Sequence, residues 1–123
     1  MNREIIFKAK RKDNGEWVEG DLLHTRHADV VLISDFKDQL FRCDGNTLCQ
    51  YTGLTDKNGR KIWENDIIEL PGEDGYFVCE WQEDTARFVL NGEGLTVDFD
   101  NYWSYEVEVI GNIFDNADLL EVK

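Results

Sequence analysis

Residues 50–70 read QYTGLTDKNGRKIWENDIIEL, and almost every position in them has a conformational reason. Asp56-Lys57-Asn58-Gly59 is a polar reversal. Its Asn-Gly pair tolerates positive φ, because glycine has no Cβ and asparagine hydrogen-bonds locally. Ile62 and Trp63 then fall irregularly among Arg60, Lys61 and Glu64. Asn65-Asp66 makes a second bend before the apolar pair Ile67-Ile68. The stretch is two turns and a strand, with no nucleophile, metal cluster or phosphate loop. It is architecture rather than chemistry, and it predicts short strands joined by tight turns.

Downstream the same grammar repeats. Residues 66–70, 76–82, 86–90, 95–99 and 105–110 read as strands, each bounded by Gly, Pro, Asn or Asp. In 76–82, Phe77, Cys79 and Trp81 share one face and Tyr76, Val78 and Glu80 the other. In 105–110, Tyr105, Val107 and Val109 point inward. Asp115 or Asn116 is placed to cap a short terminal helix or turn over 117–121. Strands this short cannot defend an open edge, which favours a small closed or partly closed barrel.

Upstream, residues 4–10, 16–23, 30–34 and 39–43 read as strands, separated by the hairpin turn Lys12-Asp13-Asn14-Gly15, a His/Arg/Asp-rich loop and further polar turns. The fold class predicted is mostly β with little helix. Residues 1–49 form an irregular β-rich N-terminal part and residues 50–123 a small barrel, packed together as one compact unit because no flexible linker separates them.

The segment Gln50-Tyr51-Thr52-Gly53-Leu54 with Asp56 and Gly59, then Trp63-Glu64-Asn65-Asp66-Ile67, then Glu80-Trp81, and finally Val109-Ile110-Gly111-Asn112-Ile113 resembles the YopX family. The opening Arg3-Glu4-Ile5-Ile6-Phe7-Lys8-Ala9 is similar to the usual family start. Asn65 stands where the family more often has Gly, and asparagine is the next-best residue for a left-handed bend. The resemblance implies a bacteriophage or prophage protein without an established biochemical activity. It also implies that the C-terminal barrel is of SH3-like type.

Composition bounds the remaining classes. A hydrophobic fraction of 41% supplies a core despite 32% charged residues, so global disorder is not expected. No run approaches the roughly 18 apolar residues of a membrane span, and no signal peptide is read at the start. Cys43, Cys49 and Cys79, an odd number, fit reduced thiols in a bacterial cytoplasm. The net charge of −13 is unevenly spread. Residues 1–61 carry eleven Lys/Arg against ten acids (+1), and residues 62–123 two against sixteen (−14). A half so acidic repels phosphate backbones.

Four constellations have the residue types of chemistry. His24, His27, Cys43 and Cys49 are zinc-ligand types, but the five residues between the cysteines exceed the usual knuckle spacing. The expectation is no metal and no cofactor. Glu80, Glu83, Asp84, Asp98 and Asp100 are read as solvated turns, with Glu80 the exception, expected to be partly buried and paired with Arg87 across its hairpin. Lys8, Lys10, Arg11 and Lys12 form a basic patch that suits weak nucleic-acid binding only as an alternative. Trp17, Trp63, Trp81 and Trp103 are many tryptophans for so short a chain, and most serve a core. Trp63, Tyr102 and Trp103, with Glu80 and Arg87, make the expected interaction surface.

These readings converge on a non-enzymatic module acting through protein contacts, including self-association as a homo-oligomer. The alternative is an acidic decoy that mimics DNA toward a basic host protein.

Overall fold

Short strands between tight turns can satisfy their backbone groups only by pairing with neighbours, and in a computed structural model the chain does so as two open antiparallel sheets. The structure describes residues 4–27, 29–92, 94–99 and 106–121. Among them lie eleven strands and two short 3-10 turns, so the protein is mostly β. The chain divides into two compact units, Met1–Tyr51 and Thr52–Lys123.

In the first unit the strands are β1 (Phe7–Lys10), β2 (Trp17–His24), β3 (Val30–Ser34), β4 (Leu40–Asp44) and the first residues of β5 (Cys49–Thr55), ordered β4-β3-β2-β1-β5. The register pairs Ala9 with Val18, Val31 with Cys43, and Ile33 with Phe41. Their inward side chains form a core around Ala9, Val18, Val31, Ile33 and Cys43. Gly20 is obligatory in this packing, because a Cβ there would lie 1.9 Å from the Ser34 carbonyl oxygen. Beyond β1, Arg11 bridges Cys43 and the Lys12 N–H donates to the Arg42 carbonyl at 2.9 Å, so the end of β1 covers part of the outer edge of β4.

The β3–β4 connection shows how a carboxylate makes a turn. Asp35 Oδ1 accepts from the Lys37 and Gln39 N–H groups, each at 2.9 Å, while the Asp35 N–H donates to the Gln39 carbonyl at 2.8 Å. The fourth residue, Asp38, takes a left-handed φ of 63°. In the second unit Asp56 repeats the device. Its Oδ1 accepts from Asn58 and Arg60 N–H at 2.9 Å each, its N–H donates to the Arg60 carbonyl at 2.8 Å, and Gly59 sits at φ 77°.

In that second unit, the remainder of β5 pairs with β6 (Lys61–Trp63), with the Thr52 hydroxyl donating to the Ile62 carbonyl at 2.7 Å. A five-stranded sheet follows: β7 (Asp66–Glu69), β8 (Phe77–Gln82), β9 (Arg87–Gly92), β10 (Leu95–Asp98) and β11 (Glu108–Asn112), ordered β10-β9-β8-β7-β11. Ile62, Ile68, Leu70, Phe77, Cys79, Leu90, Val97, Val107 and Val109 form its core. Trp81 follows the predicted alternation but lies at the end of β8, where the sheet runs out. It is 42% exposed and meets Phe88 edge-on at 5.1 Å.

A closed or partly closed barrel of SH3-like type is the expectation for this unit; the described strands form an open sheet, with no ladder joining β10 to β11. The Asp56 turn gives a physical reason. Asp56 Oδ2 accepts from the Val109 N–H at 2.9 Å, Lys57 N–H donates to the Val107 carbonyl at 2.9 Å, and Arg60 Nη1 donates to the Val109 carbonyl at 3.2 Å. The outer edge of β11 is thus satisfied by a turn in place of a further strand, which also protects it from edge pairing. Asp56 is only 4% exposed. Burial alone would raise its pKa, but the Val109, Arg60 and Asn58 N–H groups and the Arg60 cation hold it below the ordinary carboxylate value.

Candidate functional site

The second unit carries an open groove of about 600 Å³ beside the β7–β8 loop and the C-terminal 3-10 turn. One rim comes from the loop after β7, where Gly72 and Gly75 take left-handed φ values of 78° and 77° and Glu73 and Asp74 are exposed between them. The floor is Phe77 against Gly92. A Cβ at Gly92 would meet the Phe77 ring at 2.7 Å, so glycine is what lets the ring approach β9 this closely. Tyr76 and Leu95 add apolar walls.

The opposite wall is Leu119, Leu120 and Glu121, from the 3-10 turn Ala117–Leu120 and the residue after it. That turn is fixed by an asparagine pair. Asn112 Oδ1 accepts from Phe114 and Asp115 N–H at 2.9 and 3.0 Å, while Asn116 Oδ1 accepts from the Asn112 N–H at 3.1 Å. Gly111 is needed because a Cβ there would lie 2.5 Å from Asn116 Oδ1. Asp115 or Asn116 is the expected cap of this turn; Asn116 occupies the N-cap position, but its side chain makes no cap bond and reaches back to β11 instead. The result is a concave surface with apolar walls and a rim of Glu73, Asp74 and Glu121, and no lysine or arginine lines it among the described residues.

A second assembly lies on the face of β8–β9–β10 that carries Glu80, Val89 and Asp98 in register. Arg87 Nη2 pairs with Asp98 Oδ1 at 3.0 Å, Asn91 Nδ2 donates to Glu80 Oε2 at 3.5 Å, and Thr96 Oγ1 donates to Asn91 Oδ1 at 3.2 Å. This polar ladder lies over Val89, which is buried. Glu80 and Arg87 therefore share a face of the sheet. Glu80 is exposed rather than partly buried, however, and Arg87 takes Asp98 as its partner. The cause is register: Glu80 stands opposite Val89 and Arg87 opposite Gln82.

Trp63, expected on the exposed surface, is buried at 5% exposure, and its backbone N–H donates to Asp66 Oδ2 at 2.8 Å. Tyr102 and Trp103, like Tyr105 and Asp100, lie outside the described residues. The zinc types do not converge on a site. Cys43 and Cys49 are buried, with thiols donating to the Phe41 and Thr47 carbonyls at 3.7 and 3.3 Å, while His24 and His27 are exposed. Burial pushes the Cys43 thiol up despite nearby Arg11, which keeps it protonated and unreactive. No group of three or more His, Cys, Asp or Glu residues is placed to hold a metal ion among the described residues. Nor is any helix among them long and apolar enough to cross a membrane.

What the geometry defines is an all-β protein of two open-sheet units whose second unit offers a concave, acid-rimmed surface. The chain belongs to the YopX family: the family model, described as YopX protein, matches residues 6–121. Among solved structures it is similar to the crystal structure of protein EF1440 from Enterococcus faecalis, at 22% identity and a TM-score of 0.64, over 98% of this chain and 100% of that one. A likeness at that identity shows the fold alone. No curated protein matches the chain.

Proposed function

We propose that this protein is a non-enzymatic interaction module that binds another protein through the groove of its second unit. The observation that carries this reading is the groove itself: three apolar side chains, Tyr76, Leu95 and Leu120, stand exposed around one concavity with a rigid aromatic floor. Exposed apolar groups gathered around a cleft, unlike scattered ones, mark binding surfaces. Support also comes from the way the rim is built. Glycine turns and an asparagine pair fix both sides before any partner arrives, which lowers the ordering cost of association. In this reading the small β unit takes an extended segment of its partner along the groove walled by Tyr76.

A photo-crosslinking amino acid at position 76, compared with the same residue at exposed Lys37 in the first unit, tests the reading in cells. The expected result is a discrete protein adduct from position 76 and none from position 37. Equal adducts from both positions, or none from 76, would contradict it.

A further inference from the structure

We propose that the groove of the second unit receives a cationic segment of its partner, a Lys or Arg side chain flanked by a leucine-sized or aromatic residue. This rests on the groove being the binding surface and adds the chemistry of what binds there.

Three carboxylates, Glu73, Asp74 and Glu121, stand on the rim, and among the described residues that line the groove there is no lysine or arginine. Between them the walls are Tyr76, Leu95 and Leu120, each more than a third exposed. Neither property alone selects a partner; together they select an amphipathic cation. A Lys or Arg side chain lays its aliphatic stem along apolar walls while its charged head stays at a polar rim. The Tyr76 ring offers a face on which a guanidinium or ammonium can rest. A neutral apolar segment would leave the rim carboxylates partly desolvated without partners, and an acidic segment would be repelled. The volume of about 600 Å³ lies within the range of roughly 300–1,000 Å³ typical of ligand-accepting clefts.

The test uses the full chain and three fluorescently labelled peptides of equal length. One alternates Arg and Leu around a single Trp; the others replace every Arg with Gln or with Glu. Two neutralised variants carry the same net charge. Glu73→Gln/Asp74→Asn/Glu121→Gln strips the rim, and Glu16→Gln/Glu83→Gln/Asp84→Asn strips exposed acids elsewhere. Circular dichroism and thermal midpoints confirm that both fold.

The expected result is saturable binding of the Arg peptide, weakened about tenfold by the rim variant, which removes three exposed ion pairs at once. The control variant should leave binding unchanged, and Tyr76→Ala should weaken it. Equal binding of the Gln peptide would overturn the cationic specificity while leaving the groove reading intact. Equal weakening by both variants would assign binding to the diffuse field of the acidic chain and overturn the inference. Binding of none of the peptides would sink the inference and the groove reading together.

Discussion

Removing the Asp56 carboxylate should cost the second unit far more than removing its counterpart Asp35 costs the first. Both side chains accept two turn N–H groups at 2.9 Å, and both turns close with a backbone bond of 2.8 Å. Deleting such side-chain-to-backbone bonds at a local reversal costs about 0.5–2 kcal/mol by analogy with helix caps, and that range is expected for Asp35→Ala. Asp56 makes one bond more, from the Val109 N–H to Oδ2, reaching 53 positions along the chain in a buried site. A bond to an ionised acceptor contributes about 1.5–3 kcal/mol, and a buried N–H stranded without a partner costs a similar amount. Asp56→Ala is therefore expected to cost about 2–5 kcal/mol. Asp56→Asn should fall between, since one of its two terminal atoms is a donor that cannot accept from Val109. Urea unfolding of both alanine variants, with hydrogen exchange at the Val109 amide, measures the difference. If Asp56→Ala destabilises no more than Asp35→Ala, or the Val109 amide stays protected, the claim that this turn satisfies the β11 edge is wrong.

Asp38 and Ala86 hold left-handed φ values of 63° and 53°, so Asp38→Gly and Ala86→Gly should each raise stability by about 0.5–1 kcal/mol, readable as higher thermal midpoints. Gly111→Ala should destabilise by about 1–3 kcal/mol through collision with Asn116, and Asn116→Ala in the same chain should recover part of the loss. Because the folded state depresses the Asp56 pKa, its contribution is fully present above the unfolded value of about 3.9 and is lost as pH falls through the folded pKa. Urea midpoints measured from pH 7 down to pH 2 should therefore fall less steeply at the acidic end in Asp56→Ala than in the parent chain.

Much of the β architecture was legible because its signals are local. Val30–Ser34 is an unbroken apolar run between polar turns, and the strand occupies those residues. Phe77 and Cys79 obey the two-residue period and are buried, as are Val107 and Val109. What could not be read is what depends on distant partners. Asp56 looks like the first residue of any Asp-x-Asn-Gly reversal, and nothing nearby reveals that its second oxygen caps a strand half a chain away. β6 went unrecognised because Lys61–Trp63 is only three residues long and shows no alternation. Trp63 was misplaced because an aromatic count says nothing about which way a ring points. The groove was missed for a related reason: Tyr76, Gly92, Leu95 and Leu120 come from separate segments, and each alone resembles an ordinary core or turn residue. The available signal was Gly92 at the end of an otherwise well-formed strand, which implies close approach by another side chain.

Amide chemical-shift mapping of the full chain, titrated with the Arg–Leu–Trp peptide, would decide where a partner engages. Saturable shifts should gather at Tyr76, Gly92, Leu95 and Leu120 and leave still the face of the first unit where Lys8 and Lys10 lie over the Trp17 ring. Shifts centred on that face, or spread evenly over the acidic surface with no saturation, would contradict the assignment of binding to the groove.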